Sequence, residues 1–202
     1  VEGYNQRTIL ALYEITGDDT KSIALYQEMW DRDPENVKIA ASLALLYHRM
    51  GREGDRDTVL GDMAERLASG EPIISLIVND YLEKERYEEA LILVDGMLKA
   101  DPRNDVLSYL GGLAYEKVED LPTAISYLKK VPRGSRLYRN AVVHIAFLYQ
   151  QQDRVDEAVA YLQERLAVSP EVPDFWLFYG TLIEERGELE SAVEAVNRGP
   201  SQ

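Results

Sequence analysis

Tyr13, Tyr47, Tyr81, Tyr115 and Tyr149 follow one another at intervals of 34 residues, and the next step of the series falls on Ile183. A spacing of that length is too long for one helix or strand and too short for a domain, so it marks a supersecondary unit copied along the chain. Other residue types keep the same period. Pro34, Pro102 and Pro170 are separated by 68 residues, two periods. Small residues hold one phase at Ser22, Ala90, Ala124, Ala158 and Ala192, with Arg56 the exception, and Met29, Met63 and Met97 hold another.

Each period reads as two amphipathic helices. In the third, Ile74, Ile77, Val78 and Tyr81 form an i, i+3, i+4, i+7 stripe, and Ala90, Leu91, Val94, Met97 and Leu98 form a second. The link between them, Glu83 to Arg86, is short and polar, which makes the two helices antiparallel neighbours. Gly17, Gly51 and Gly187 occupy the equivalent link in other periods, where a left-handed helix cap is wanted. Asp33-Pro34 and Asp101-Pro102 end second helices, because proline disfavours helical geometry in the residue before it. Asn36 and Asn104 stand where the next helix needs an N-cap.

Two periods depart from the pattern. In the second, Arg56 takes the small slot and Gly51 to Asp57 is rich in glycine and charge, which predicts a second helix that starts late and packs loosely. In the fourth, Pro132 predicts a shortened second helix, with Ser135 placed to cap an early start of the next. Gly112, Ala146 and Gly180 are expected at the closest approach of a first helix to its partner, facing Ala124, Ala158 and Ala192.

These residues resemble the tetratricopeptide-repeat (TPR) family, whose signature sets a large residue, a small one and an aromatic along the first helix, then A-x3-F and a proline. Trp176, Tyr179 and Gly180 match its first part, Gly111, Gly112 and Tyr115 match in the fourth period with Ala124 and Leu128, and Ala158, Leu162 and Pro170 complete the fifth. The resemblance implies an all-α, right-handed superhelical solenoid of antiparallel hairpins. It predicts one solenoid domain over 1–202, with repeats 3–36, 37–70, 71–104, 105–138, 139–172 and 173–202.

Composition narrows the chemistry. A net charge of -14 repels a phosphate backbone, so nucleic acid is not the expected partner. The absence of cysteine excludes disulfides, Cys-ligated zinc and thiol catalysis. The longest apolar run, around Ile73 to Val78, is interrupted by Ser75 and too short to span a bilayer, so no membrane insertion is expected. The chain reads as soluble, in the cytoplasm or the periplasm. Val1 is not an initiator methionine, and the chain reads as a piece of something longer. His48 and His144, 96 residues apart, make no metal site. Gly51 to Asp57 lacks both the acidic spacing of a calcium loop and the lysine of a phosphate loop. No catalytic constellation and no cofactor site is expected.

The helical phase separates a core face from a second face. Repeat positions 4, 7, 8 and 11 cluster on one side, and positions 2, 5, 9 and 12 lie about 140° away. In the TPR family, by resemblance, that second face lines a concave groove for peptides. Carried over, it gives Tyr4, Arg7, Ala11 and Glu14; Lys38, Ala41, Leu45 and His48; Pro72, Ser75, Asn79 and Leu82; Val106, Tyr109, Leu113 and Glu116; Asn140, Val143, Phe147 and Gln150; then Asp174, Leu177, Thr181 and Glu184. Apolar residues recur on it at Leu45, Leu82, Tyr109, Leu113, Val143, Phe147 and Leu177, as a binding surface does. Basic residues gather toward its first end (Arg7, Lys38, Arg49) and acidic ones toward its last (Asp174, Glu184, Glu185), a gradient that would orient a ligand. Ser42, Pro72 and Leu76 stand where family members that grip chaperone C-termini place polar clamps, so the expected partner is a protein or peptide with apolar anchors. Two other readings remain open. The chain could self-assemble into a homo-oligomer through Leu189, Ala192, Val193 and Val196 of the last hairpin, or it could be the recognition arm of a larger enzyme.

Overall fold

A computed structural model of the chain describes the backbone of residues 2–66 and 71–199, and the side chains of these residues except 2–5, 66, 71, 72 and 74. Among the described residues there are twelve helices and no strand: α1 (Glu2–Thr16), α2 (Asp19–Arg32), α3 (Val37–Arg49), α4 (Glu53–Arg66), α5 (Glu71–Glu83), α6 (Tyr87–Ala100), α7 (Asp105–Lys117), α8 (Leu121–Leu128), α9 (Tyr138–Gln151), α10 (Val155–Val168), α11 (Pro173–Glu185) and α12 (Leu189–Arg198). They divide into two compact units, Val1–Leu110 and Gly111–Gln202.

Six hairpin turns share one backbone solution. The residue five places after each position of the 34-residue series donates its N–H back to that position's carbonyl: Asp18 to Tyr13, Arg52 to Tyr47, Arg86 to Tyr81, Asp120 to Tyr115, Arg154 to Tyr149 and Glu188 to Ile183, all at 2.8–3.0 Å. Closing that bond puts the residue before the donor in the left-handed region. Glycine occupies it in three turns, at φ of 69°, 70° and 83° for Gly17, Gly51 and Gly187, while Glu85, Glu119 and Asp153 adopt 57°, 62° and 58° in the others. Where the donor is arginine, its guanidinium lies over the ring of the same tyrosine, 4.6–4.8 Å from the centroid in the pairs Arg52–Tyr47, Arg86–Tyr81 and Arg154–Tyr149. The tyrosine period is thus a turn device as well as a packing one.

The small slots sit at the close approaches. A Cβ on Gly112 would lie 2.5 Å from Leu128 Cγ and 3.2 Å from the Ala124 carbonyl oxygen, and one on Gly180 would lie 2.8 Å from Val196 Cγ2 and 3.4 Å from the Ala192 carbonyl oxygen. Ala124, Ala146 and Ala158 are fully buried. Gly96 of α6 plays the same part against α4, with its Cβ position 2.1 Å from Leu60 Cδ1.

Four local expectations are corrected or refined. First, α4 does not start late: Glu53 holds the same phase as the first residues of α2, α6 and α10. It packs tightly too, with Val59, Leu60 and Met63 buried. Arg56 is accommodated because its guanidinium donates to Asp57 Oδ1 (2.8 Å) and to His48 Nδ1 (2.9 Å), so a buried charge finds acceptors. Second, α8 is short as expected, eight residues against fourteen in each of α2, α4, α6 and α10. Third, Ser135 Oγ accepts from the Leu137 N–H (3.1 Å) just ahead of α9, whose first residue is Tyr138. Fourth, Asn104 caps α7 through Oδ1 and the Leu107 N–H (2.9 Å), whereas the Asn36 side chain turns back to Asp33 and makes no cap bond. The sequence reading of Ile74 and Pro72 concerns side chains that lie outside the described residues.

Candidate functional site

In unit 2 the outward faces of α9 and α11, with the last turn of α7, enclose an open recess of ≈ 430 Å³ lined by Glu116, Arg139, Asn140, Val143, His144, Phe147, Asp174 and Phe178. Five expected groove residues meet here: Glu116, Asn140, Val143, Phe147 and Asp174. They converge because α9 places residues 140, 143 and 147 on one face at helical spacing, while its opposite face, with Ala141, Val142, Ile145 and Leu148, is buried. Phe147 is 39% exposed and Leu177, on the neighbouring α11, is 57% exposed, both larger apolar exposures than a solvated helix face requires.

Polar groups frame this apolar floor. His144 Nε2 donates to Glu116 Oε2 at 2.8 Å, and the imidazole stands edge-on to Phe147 with ring centroids 6.2 Å apart. Arg139 pairs with Asp174 at 3.4 Å, and Gln150 Nε2 donates to Glu185 Oε2 at 2.6 Å, linking α9 to α11. The exposed ion pair contributes little to stability, so its groups are free to exchange partners. The asparagine amide of exposed Asn140 offers both a donor and an acceptor at the rim.

In unit 1 a second recess, ≈ 610 Å³, takes in Leu45 and His48 of α3 together with Glu14, Tyr26, Ser42, Arg49, Tyr81 and Arg86. Tyr26 donates its hydroxyl proton to Glu14 Oε1 (2.8 Å); burial first, then that hydrogen bond, pushes its pKa up to about 12. The phase of α3 differs by one residue from the expected one. Ala41 is buried at 1% exposure, and Ser42 takes its place on the open side. Val106 of α7 is likewise buried. His48 leans toward α4, where its Nδ1 receives the Arg56 proton.

The other expected residues line neither recess. Lys38 and Asn79 are exposed on α3 and α5, and Leu82, Tyr109 and Leu113 are half-buried on α5 and α7. Gln150 and Leu177 flank the unit 2 recess without lining it. Tyr4 and Pro72 have side chains outside the described residues. Sequence reasoning missed Arg139, His144 and Phe178 in unit 2, and Tyr26, Tyr81 and Arg86 in unit 1. Those residues lie on adjacent helices or on the flank of the expected stripe, so the spacing within one helix could not find them. Among the described residues, no three His, Asp or Glu side chains gather as a metal-binding set, and no helix is long and apolar enough to cross a membrane.

Comparison with known proteins bears on the fold. The sequence profile of the tetratricopeptide repeat matches residues 146–201. Among solved structures, PilW, described as a widely conserved type IV pilus biogenesis factor, is similar with a TM-score of 0.51 at 15% identity, over 95% of this chain and 89% of that one. MamA is similar with a TM-score of 0.49 at 16% identity, over 94% and 91% of the two chains. YrrB, described as a TPR protein with an unusual peptide-binding site, gives 0.48 at 19% identity, over 86% and 89%. No curated protein sequence matches significantly. At such identities the likeness to PilW shows the fold alone. Residues 146–201 match the tetratricopeptide repeat, and the same hairpin turn recurs in the residues before them.

Proposed function

We propose that the chain is a protein-interaction scaffold and that the α9–α11 face of unit 2 holds a segment of a partner polypeptide with large apolar anchors. The observation that carries this reading is the recess around Phe147, Val143 and Phe178, where exposed apolar surface is ringed by the Glu116–His144 and Arg139–Asp174 pairs. An apolar floor with a few fixed polar groups suits a peptide whose side chains enter the recess and whose backbone meets the rim. The printed description of YrrB as a peptide-binding TPR protein is consistent with such a role. The unit 1 recess, with Leu45 and Tyr26 beside Glu14, Arg49 and Arg86, is more polar and is assigned a supporting contact.

The test is the double variant Phe147→Glu, Leu177→Glu. Both residues are exposed, so its folding stability should stay within about 0.5 kcal/mol of wild type. Loss of the partners that wild type retains in a pull-down supports the assignment. An unchanged partner set on the folded variant refutes it. A second reading, self-association, is favoured by the stripe Leu189, Val193 and Val196 on α12, exposed at 63%, 63% and 49%. Sedimentation that shows a monomer across a wide concentration range removes that reading.

A further inference from the structure

The shortened α8 has two consequences on the side of unit 2 away from the peptide recess. The chain from Lys129 to Arg136 carries four basic residues, Lys129, Lys130, Arg133 and Arg136, and no acidic one, in a protein whose net charge is -14. The turns that α8 lacks also leave a notch of ≈ 670 Å³ between Leu128, Val131 and Pro132 on one side and Tyr138, Tyr161, Arg165 and Val168 on the other. The walls are chiefly aliphatic and aromatic, and the rim is basic. We propose that this notch is a second docking site, for an acidic peptide segment that inserts a large apolar side chain between the Tyr161 ring and Val131 while its flanking carboxylates meet Lys129, Arg133 and Arg165.

Charge complementarity selects the occupant. Arg165 lies with its guanidinium 5.3 Å from the Tyr161 ring centroid, and its Nε is buried with no hydrogen-bond acceptor among the described residues. A buried guanidinium donor without an acceptor is unfavourable and is satisfied by an incoming carboxylate. Its present anionic contact is the largely exposed Glu164 at 3.2 Å, and Arg133 has the equally exposed Glu171 at 3.1 Å, both readily displaced. Lys129 is held in place over the notch by the Tyr149 and Tyr161 rings, at 5.6 and 5.7 Å. Free phosphate would use the cations and leave the apolar walls wet. A peptide with carboxylates on either side of one apolar anchor uses both.

The experiment titrates the intact chain with fluorescein-labelled peptides of three patterns: Asp-Glu-Leu-Phe-Glu-Asp, the same with Ala-Ala at the centre, and the same with Lys in place of every acid. The first should bind at least tenfold more tightly than either of the others. Arg133→Glu combined with Val168→Glu, both residues exposed, should weaken it at least tenfold, whereas Phe147→Glu should leave it unchanged. That pattern separates this site from the α9–α11 recess, so either can fail alone. The proposal is overturned by equal binding of the Lys-flanked peptide, by full competition from millimolar inorganic phosphate, or by wild-type affinity in a double variant whose helical circular dichroism is intact. It is also overturned if the variant's only effect is to abolish self-association of the chain, which would make a second copy the occupant.

Discussion

Gly112→Ala and Gly61→Ala insert the same methyl group into helix interiors, yet their effects should have opposite signs. An alanine favours helix over glycine by about 1 kcal/mol in an unhindered position. At Gly61 the new Cβ meets only Ala100 Cβ at 3.9 Å, an ordinary contact, so that variant should gain roughly 0.5–1 kcal/mol. At Gly112 the Cβ would sit 2.5 Å from Leu128 Cγ and 3.2 Å from a backbone oxygen of α8. Leu128 is 1% exposed, so the helices must separate or the side chain must leave its packed rotamer. Overpacking of this kind costs about 1–3 kcal/mol, more than the propensity gain. The Gly112 variant should therefore be less stable by about 1–2 kcal/mol, and the two substitutions should differ by about 2 kcal/mol in urea unfolding followed by helical circular dichroism. Truncation gives an internal check. Leu128→Ala alone should cost about 2–5 kcal/mol, and less when Gly112→Ala is present to fill part of the cavity. A Gly112→Ala protein as stable as Gly61→Ala would refute the close-approach argument for the small slots.

The turn residues give a second comparison. Gly51→Ala forces a methyl into the left-handed region at φ 70° and should destabilise by about 1–2 kcal/mol in urea. Glu119→Gly, at φ 62°, should be neutral to slightly stabilising in the same assay, since relief of strain offsets added chain entropy. Tyr26 makes alkaline stability a further test. Its folded pKa is raised from 10.0 to about 12, so its contribution is fully present below pH 10 and is lost as pH climbs from 10 to 12. Tyr26→Phe should flatten the fall in stability over that window, and an unchanged pH profile would contradict the assignment.

How far the sequence could be read depended on what each position answers to. The hairpin period was legible at Tyr47, Tyr81, Tyr149, Ala124 and Ala158 because those slots serve contacts inside each repeated unit, and identical contacts select identical residues. The left-handed turns were legible only where glycine fills them; Glu85, Glu119 and Asp153 hide the same geometry behind ordinary side chains. Gly96 was missed because its reason is Leu60, on a helix of the preceding hairpin. Arg56 read as a packing defect, but two acceptors, Asp57 and His48, turn it into a satisfied buried cation. On the candidate face, spacing within α9 found Asn140, Val143 and Phe147 and the same phase on α11 found Asp174, whereas Phe178 of α11 lies off that stripe and could be located only in three dimensions. The one-residue rotation that buries Ala41 and opens Ser42 has the same origin: exposure is set by the neighbouring helices as well as by the helix that bears the residue.

The scaffold reading is tested most directly by where a partner touches the protein. A photo-crosslinking phenylalanine analogue placed in turn at positions 147, 177 and 160 would report this, because Phe147 and Leu177 lie on the α9–α11 face and Ala160 is an exposed residue of α10. On irradiation with a partner present, positions 147 and 177 should yield adducts with the same segment of one polypeptide, and position 160 should yield none. Equal adducts at all three positions, or adducts at 160 alone, would contradict the assignment of the binding face.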